Sequence, residues 1–426
     1  MGAPLQAPRL DADGFAAAVD AGGGPLVRPL PPPQRPGAFG VLDATKYFGA
    51  TTGGIRTYLL QKAAYVATRP GLRQILVVPG ERDGLVEGDG VRCYRLRGAR
   101  IPTQHPYRLL YAPRTTRAII EHERPDVIEV GSPFFVPWTT RLANREANVP
   151  MLWFYHGNLP HLVAPHPERS ALRRAAHSAA WRYVRRVAGL ARAVLVASDF
   201  VAAELQRHGV ANAVRVPLGV DLERFTPERR ARRAEVRERH GLPDVPLAIF
   251  AGRFAREKQL EVLIRGWRQV ERRTGARLVL VGDGPSRRWF QAQPGADRVL
   301  WLPFATDRST LADLLAAADL YVAAGPLETF GLAALEAMAS GLPVLSVDQG
   351  GVPEQVTRSG AGAIYPKEDE GALAEAAVEL LGRDLAALGR RARAHAVRHH
   401  AWPVVFDRLF EVYREVRAGT AGVSPG

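Results

Sequence analysis

Short apolar runs alternate with longer amphipathic stretches along the chain from residue 39 onward. In the first half, runs rich in β-branched and large apolar residues predict five strands: FGVLDA (39–44), QILVVP (74–79), DVIEVG (126–131), MLWFYHG (151–157) and AVLVAS (193–198). The second half predicts five more: LAIFAGR (247–253), RLVLVGDG (277–284), VLWLPF (299–304), DLYVAA (319–324) and PVLSVD (343–348). Strands that alternate with helices predict parallel sheets, so the expected fold class is α/β, with two Rossmann-like, doubly wound domains.

The interruption between the two strand series predicts the domain boundary. We expect an N-terminal domain at 39–218 and a C-terminal domain at 219–400. Residues 1–38 are rich in Gly, Pro and Ala and predict a disordered leader. The last apolar helix, at 401–420, has no strand after it and is predicted to pack across the domain junction. Two facing domains of this kind place their strand carboxyl ends, and therefore a ligand, at a deep shared cleft.

Composition limits the class of partner without selecting it. The 426-residue chain carries a net charge of +14, supplied almost wholly by arginine scattered along its length. Such a charge favours any polyanion, whether a nucleotide, an anionic lipid or a nucleic acid. A nucleic-acid-binding protein is the weaker interpretation, because aromatic residues are not interleaved with the basic runs as a stacking surface requires.

The number of cysteines and the hydropathy of the chain indicate the cellular location of the protein. The single cysteine, Cys93, cannot form an internal disulfide, which favours a reducing cytoplasm. The chain begins without a basic segment followed by a continuous apolar stretch, and no later stretch approaches the length of a membrane span. We therefore expect a cytoplasmic protein, soluble or bound peripherally to the inner face of the plasma membrane.

Two features predict an anion-binding site. Gly53 and Gly54 follow the first strand and open a helix, where free N–H groups and the helix dipole can face a phosphate. Arg253 and Lys258 follow a strand of the second domain, and Lys258 is one of only four lysines. Their position suits two cations that converge on a diphosphate. VGDGPSRR lacks the third glycine of a dinucleotide-binding loop, since Arg287 stands there, which disfavours a dehydrogenase.

Two carboxylates occupy an otherwise apolar stretch, ETFGLAALEAMASGLPV (328–344). The pattern predicts a helix over 331–340, which places Glu328 before the helix at the carboxyl end of a strand. Glu336 lies inside the helix, on or beside its buried face. A buried carboxylate needs a hydrogen-bonding partner, and vicinal hydroxyl groups would serve. The pair is therefore either a general acid and base or a clamp for hydroxyl groups.

This stretch resembles the E-x7-E signature of the family-four retaining glycosyltransferases, which have the GT-B fold. The similarity extends over residues 39 to about 415 through further motifs that occur in the family's order: TGGIRTY, FYHGN, PLGVDLERFTP, GRFAREK, LVLVGDGP and DQGGVPE. It implies a metal-independent hexosyltransferase that uses a nucleotide sugar as co-substrate and no other cofactor. It also implies an acceptor-side N-terminal domain and a nucleotide-sugar-binding C-terminal domain.

The resemblance assigns roles to individual residues. Glu328 and the backbone after it match the residues that hold the donor hexose, and Glu336 matches the glutamate on the nucleotide ribose. The remaining matches are the cations on the diphosphate, the glycine loop near the phosphates, the histidine that faces the donor sugar, and the backbone donors to the hexose: Arg253, Lys258, Gly53, Gly54, His156, Phe330, Gly331 and Leu332. His156 and Glu328 are the predicted catalytic residues.

Retention in this family is usually explained by front-face attack, in which the leaving phosphate accepts the acceptor's proton, so the resemblance implies no acid and base pair. The only D-x-D, Asp11 to Asp13, has no strand before it, and no metal site is expected. The family pattern is broken at Gln259, where glycine is usual, and at Thr329, where proline is frequent. These departures affect the choice of sugar more than activity.

The donor and the acceptor remain open. Asp307 lies in the segment that matches the family's nucleobase pocket, where its carboxylate would accept from guanine N1–H and N2–H₂, which favours GDP-mannose. Asp307 is equally well placed to cap the helix that follows it, and a UDP-hexose donor is the alternative.

The acceptor is a hydroxyl of a lipid, a glycan or a small molecule. The helix at 170–193 could lie on an anionic membrane or belong half-buried to the domain. A nucleotide-sugar epimerase is another alternative, and nucleic acid is not an expected partner.

Overall fold

The computed structural model describes residues 12–26, 29–49, 53–102, 107–164 and 170–420. The chain divides into two compact units. Unit 1 consists of Met1–Val196, Ala202–Val216 and Phe406–Gly426, and unit 2 consists of Ala197–Val201 and Pro217–Val405. The main division along the chain falls before Pro217.

Unit 1 contains an eight-stranded sheet in the order β3-β4-β2-β1-β5-β6-β7-β8. Its strands are β1 (Phe39–Ala44), β2 (Leu72–Gly80), β3 (Gly84–Gly88), β4 (Val91–Arg97), β5 (Val127–Val130), β6 (Met151–Phe154), β7 (Ala193–Val196) and β8 (Ala213–Arg215). Every pairing is parallel except that of β3 with β4. The central strands β2, β5, β6 and β7 are buried along their whole length, as expected when helices cover both faces of a parallel sheet.

The helices of unit 1 precede or connect these strands. They are α1 (Ala12–Asp20), α2 (Gly54–Ala67), α3 (Pro113–Glu123), α4 (Val136–Ala143), α5 (Leu159–Val163) and α6 (Ala171–Ala188). Helix α7 (Asp199–Arg207) has its first three residues in unit 2 and the rest in unit 1. The carboxyl ends of β1 and β6 therefore lead into α2 and α5, which places the glycine loop and His156 at the same edge of the sheet.

The β3–β4 hairpin is the largest element that the strand prediction missed. Its two strands pair antiparallel from Gly84 with Arg95 to Gly88 with Val91. Arg92 and Arg95 interrupt the apolar pattern of β4, so the run does not read as a buried strand. The signal that could have located it is the turn sequence Gly88-Asp89-Gly90 between two alternating runs.

The prediction of a disordered leader over 1–38 is wrong for the part of it that the structure describes. Helix α1 buries Phe15 and Val19, which are 3% and 2% exposed. Arg95 Nη1 donates to the Val19 carbonyl at 3.0 Å, and Gly24 N donates to the Leu85 carbonyl at 3.0 Å. The segment is ordered because it covers the β3–β4 hairpin, an element that the composition of residues 1–38 could not indicate.

Unit 2 contains a six-stranded, wholly parallel sheet in the order β11-β10-β9-β12-β13-β14. Its strands are β9 (Leu247–Ala251), β10 (Arg277–Val281), β11 (Leu300–Leu302), β12 (Leu320–Ala323), β13 (Val344–Val347) and β14 (Gly362–Tyr365). All but β14 were predicted. The order reverses between β9 and β12, and such a switch point is where doubly wound sheets bind their ligands.

The helices of unit 2 are α8 (Arg233–Arg239), α9 (Leu260–Thr274), α10 (Arg287–Gln291), α11 (Arg308–Ala317), α12 (Leu332–Ala339), α13 (Val352–Ser359), α14 (Glu370–Leu381) and α15 (Leu385–His400). Its apolar core packs α9 and α14 against the sheet around Trp267, Leu280 and Leu373. Helix α16 (Trp402–Ala418) begins in unit 2 and is grouped with unit 1 from Phe406 onward.

Candidate functional site

The loops after β9 and β12 bring two predicted residues of unit 2 together. Lys258 ends a short 3-10 helix after β9, and Glu328 lies in the loop after β12. The Lys258 ammonium donates a hydrogen bond to Glu328 Oε1. Gly325 allows this approach, because a Cβ at that position would lie 3.2 Å from Lys258 Cδ. The cation expected on the diphosphate and the acid expected on the hexose are therefore direct neighbours.

The loop that carries Glu328 is held by the segment before and within α13. Gly351 N donates to the Glu328 carbonyl at 2.8 Å, and Gln355 Nε2 donates to the Phe330 carbonyl at 2.5 Å. A Cβ on Gly351 would lie 2.5 Å from the Thr329 carbonyl oxygen, so only glycine fits there. The DQGGVPE motif thus has a structural role, since it fixes the backbone on which Glu328 stands.

The same loop leads into α12 through a left-handed residue. Gly331 is the N-cap of α12 and has a φ of +87°. A Cβ there would lie 2.2 Å from Val352 Cγ2, so both conformation and space require glycine. The Phe330 ring is buried and lies 5.6 Å from the His400 ring. Phe330 therefore has only its backbone to offer a ligand, and with Leu332 it stands at the amino end of α12.

Glu336 is buried in α12 and is paired with an arginine. Glu336 is 2% exposed, and its Oε1 accepts a hydrogen bond from Arg308 Nη2. Burial raises the pKa of Glu336 above its ordinary value, and the Arg308 charge opposes that rise. The prediction that a buried Glu336 needs a partner is met by Arg308, a residue that the sequence did not single out.

Tyr321 is a second residue that the sequence did not indicate. It lies in β12, is 3% exposed, and its hydroxyl donates to the Ala251 carbonyl at 3.3 Å. Burial and the charges of Glu328 and Glu336 raise the pKa of Tyr321 far above its ordinary value. The phenol therefore stays neutral and links β12 to the last residue of β9. Because Tyr321 lies in an apolar strand, the sequence pattern indicated only a core residue there.

Asp307 occupies the helix-capping position. Its carboxylate accepts from Ser309 N at 3.1 Å and from Thr310 N at 3.0 Å, at the start of α11. These backbone hydrogen bonds lower the pKa of Asp307. The sequence left two interpretations of Asp307, a helix cap and a contact to the nucleobase, and in the structure Asp307 is the N-cap of α11. Each oxygen already accepts at least one N–H donor, which reduces what Asp307 has left for a base.

Arg253 is an exposed cation after β9. Over the ranges that the structure describes, its side chain forms no ion pair and no hydrogen bond. Lys258, by contrast, is already paired with Glu328. Arg253 is therefore the cation of the pair that is immediately available to an anionic ligand.

In unit 1, Gly53 follows β1 and His156 follows β6, two parallel strands that β5 separates, so both residues lie at the carboxyl-end edge of the sheet. Gly53 is the N-cap of α2, and no atom of the described residues would lie within 4 Å of a Cβ there. Gly54 is the first residue of α2. The His156 ring stacks on Phe154 with centroids 4.1 Å apart and meets Tyr58 edge-on at 5.8 Å. Both rings hold the imidazole in one orientation.

His156 is electrically neutral at physiological pH. Burial, with a smaller contribution from the Lys62 charge, lowers its pKa to about 3. A neutral imidazole can donate from one nitrogen and accept at the other. His156 can therefore hydrogen-bond hydroxyl groups on a sugar without adding a positive charge to the site.

A buried polar cluster lies behind His156. Lys62 Nζ is wholly buried and donates to Asp43 Oδ1 at 2.7 Å and to the Tyr413 hydroxyl at 2.7 Å. It also contacts Glu129 Oε2 at 3.3 Å, and Tyr58 donates to the same oxygen at 2.9 Å. Burial raises the pKa of Glu129 to about 7. The sequence contained these residues, but their separation along the chain concealed the cluster.

No metal centre accompanies these groups in the part of the chain that the structure describes. There, no three side chains of His, Cys, Asp or Glu are gathered as a metal ion would need. The side chains of Asp11 and Asp13 lie outside the described residues. Among the helices that are described, none is both long and apolar enough to cross a membrane.

Family models match both halves of the chain. Residues 52–224 match the model described as Glycosyltransferase Family 4, and residues 245–383 match Glycosyl transferases group 1. A "GDP-mannose-dependent alpha-(1-6)-phosphatidylinositol dimannoside mannosyltransferase" of Mycobacterium tuberculosis is 33% identical over 74% of this chain and 81% of its own length. A "GDP-mannose-dependent alpha-mannosyltransferase" of the same species is 33% identical over 80% of this chain and 86% of its own.

The fold has solved counterparts. A sucrose-phosphate synthase from Thermosynechococcus elongatus superposes with a TM-score of 0.71 at 22% identity, over 89% of this chain and 100% of that one. Two parallel α/β units with a cationic, glutamate-containing site at the strand ends of the second define a GT-B glycosyltransferase that uses a nucleotide sugar and transfers a hexose. The chain belongs to glycosyltransferase family 4.

Proposed function

We propose that the enzyme transfers mannose from GDP-mannose to an acceptor hydroxyl, with retention of configuration and without a metal ion. The observation that carries this proposal is the pairing of each glutamate with its own cation, Glu328 with Lys258 and Glu336 with Arg308. Carboxylates held as ion pairs suit hydrogen-bond acceptance better than proton transfer. The glutamates therefore form a clamp, with Glu328 on the hexose and Glu336 on the ribose.

The chemistry follows from charge development on the leaving group. The bond between the sugar C1 and the diphosphate oxygen breaks, a bond from C1 to the acceptor oxygen forms, and the acceptor's proton passes to the departing phosphate. Negative charge grows on the diphosphate during this step, and Arg253, Lys258 and the amino end of α12 would stabilise it. The roles that the family resemblance gives to Gly53, Gly54 and His156, N–H donation to the phosphates and a hydrogen bond to a sugar hydroxyl, belong to the same proposal.

The choice of GDP-mannose is supported by the two relatives at 33% identity, which are both named GDP-mannose-dependent. Calorimetry of GDP-mannose against UDP-glucose tests it, and binding of UDP-glucose alone would refute the donor assignment.

Turnover of the donor without an acceptor would point to an epimerase. The anomeric coupling in the NMR spectrum of the product tests retention, and full activity in excess EDTA tests metal independence.

The proposed acceptor is a hydroxyl on a lipid-linked molecule, reached from the surface of an anionic membrane at the cytoplasmic face. Helix α6 turns Trp181 and Val184 inward, so these residues are not the membrane contact. Its outer face instead exposes Leu172, which is 80% exposed, together with a set of exposed arginines: Arg173, Arg174, Arg182, Arg185 and Arg186.

On α4, Trp138 and Leu142 are also exposed, and Trp138 Nε1 donates to the hydroxyl of Tyr183 in α6 at 3.2 Å.

This combination of apolar and cationic side chains suits an anionic interface. Co-sedimentation with vesicles that contain phosphatidylglycerol, compared with pure phosphatidylcholine, tests the contact. We expect binding to the anionic vesicles that salt weakens, and weaker binding of a variant with Arg182, Arg185 and Arg186 replaced by glutamine. Equal binding of the two vesicle types would refute an electrostatic membrane contact.

A further inference from the structure

Arg308 is anchored at two points beside the predicted ribose site. It is the first residue of α11, its Nη2 donates to Glu336, and its guanidinium carbon lies 5.0 Å from the centre of the Phe225 ring. The Arg308 side chain is 37% exposed, whereas that of Glu336 is 3% exposed. One edge of the guanidinium is therefore fixed by Glu336 and one face by Phe225, while other N–H donors face solvent.

We propose that Arg308 reads the nucleobase of the donor and selects guanine. This inference rests on the proposed function, in which Glu336 binds the ribose of GDP-mannose. The base is bonded directly to that ribose, so a guanidinium attached to Glu336 lies within reach of the base. Guanine presents O6 and N7 as adjacent acceptors, which match two N–H groups of a guanidinium.

The other bases fit Arg308 less well. Adenine places an amino group where guanine has O6, so two donors would face each other. Uracil presents one carbonyl at the corresponding edge, beside its own N3–H donor, and lacks N7. Arg308 would therefore favour GDP over both ADP and UDP through a pairing that only guanine completes.

Arg308 is better placed for this role than Asp307. Both Asp307 oxygens accept backbone N–H groups at the start of α11, and the Thr310 hydroxyl donates to Oδ2 as well, at 3.1 Å. A base would have to compete with these bonds. Arg308 would keep its hydrogen bond to Glu336 when a base binds. The N–H groups that it would offer to guanine are different from the Nη2 hydrogen that Glu336 accepts.

Calorimetric titration with GDP, ADP and UDP tests the proposal on the full-length enzyme. For Arg308→Gln we expect the affinity for GDP to fall roughly 10- to 100-fold more than the affinities for ADP and UDP, because only GDP loses the bidentate contact. ADP and UDP should share only the loss that follows when Glu336 no longer has its charged partner. Arg308→Lys should lie between, since an ammonium cannot form the planar pair. Glu336→Gln should weaken all three nucleotides alike, because they share the ribose.

Arg272, an exposed arginine of α9, supplies the control for loss of one positive charge. We expect Arg272→Gln to bind all three nucleotides as the parent enzyme does. An equal loss of GDP, ADP and UDP affinity in Arg308→Gln would show that Arg308 merely positions Glu336 and would overturn the proposal. Unchanged GDP affinity would overturn it as well.

The proposed function can fail separately from this inference. If the parent enzyme binds UDP-glucose and not GDP-mannose, the donor assignment fails, and the role of Arg308 fails with it. If the parent enzyme prefers GDP-mannose and Arg308→Gln keeps that preference, only the role of Arg308 is wrong. Loss of the GDP preference in Asp307→Asn, with the preference kept in both Arg308 variants, would assign the reading of guanine to Asp307.

Discussion

Lys258 and Glu328 form an ion pair at the carboxyl end of the unit 2 sheet. If Glu328 holds the hexose, Glu328→Ala should lower kcat by about 10- to 100-fold, because the reacting sugar loses a fixed contact in the transition state. Steady-state kinetics with saturating donor measures this. Glu375→Ala, which breaks an exposed ion pair with Arg273 on the same unit, is the control and should leave kcat unchanged. Transfer that survives Glu328→Ala would contradict the assignment.

Glu336 should govern donor affinity more than turnover. Glu336→Gln removes the negative charge that would accept ribose hydroxyls, and we expect donor affinity to fall by about tenfold or more, with kcat nearly unchanged. Because burial raises the pKa of Glu336, donor binding to the parent enzyme should weaken as the pH falls through that raised pKa. Calorimetry at several pH values measures both effects, and a fall in kcat at unchanged affinity would be inconsistent with a ribose contact.

Gly331 should not tolerate a side chain. Gly331→Ala adds a Cβ that would lie 2.2 Å from Val352 Cγ2, at a φ of +87°. Gly275→Ala is the matched control, since its φ is +71° and nothing lies within 4 Å of the added Cβ. Both variants should lose about 1 kcal/mol from the left-handed strain, as measured by urea unfolding. Only Gly331→Ala should also lose most of its activity, because the clash displaces the loop that carries Glu328.

Lys62 should be the most sensitive position of the buried cluster in unit 1. Lys62→Met leaves Asp43 and Glu129 buried without their counter-charge, and we expect a loss of about 3–5 kcal/mol in the free energy of unfolding. Tyr413→Phe removes one hydroxyl and should lose about 1–2 kcal/mol. Lys367→Met, at a partly exposed lysine paired with Glu368, should change stability by less than about 1 kcal/mol. A small effect at Lys62 would refute the role of the cluster.

His156 should lower stability in acid without titrating during catalysis. Its pKa is about 3 in the folded protein, below the ordinary value of 6.5, so the unfolded chain binds the proton first as the pH falls. The stability that neutral His156 contributes is thus complete above pH 6.5 and is lost progressively toward pH 3. Urea unfolding at pH 7 and pH 5 should show a larger loss for the parent enzyme than for His156→Phe, which keeps an aromatic ring beside Phe154.

The kinetic side of the same prediction concerns kcat. Between about pH 5 and pH 8, His156 should contribute no ionisation to the pH profile of the parent enzyme, because it stays neutral throughout. His156→Gln, which keeps a neutral donor and acceptor, should retain more activity than His156→Ala. An ionisation near pH 6.5 that disappears in His156→Gln would contradict a neutral imidazole.

Much of the fold could be predicted from local pattern. The parallel strands were recognisable because burial on both faces selects continuous apolar runs, and β1 was located to the residue at Phe39–Ala44. The β3–β4 hairpin and the ordered part of the leader were missed for a related reason. Each is stabilised by the other rather than by its own composition, as the contact of Arg95 with the Val19 carbonyl shows.

The sequence by itself determined the α/β class and indicated Glu328 and Glu336 as candidate site residues, because these depend on periodicity and on motifs of short range. Only the tertiary structure decided which charges are neighbours. Lys258 meets Glu328 across 70 residues of sequence, Lys62 meets Tyr413 across 351, and Arg308 was not singled out until the structure placed it on Glu336. A side chain's charge is visible in the sequence, but its partner and its burial depend on how distant segments pack.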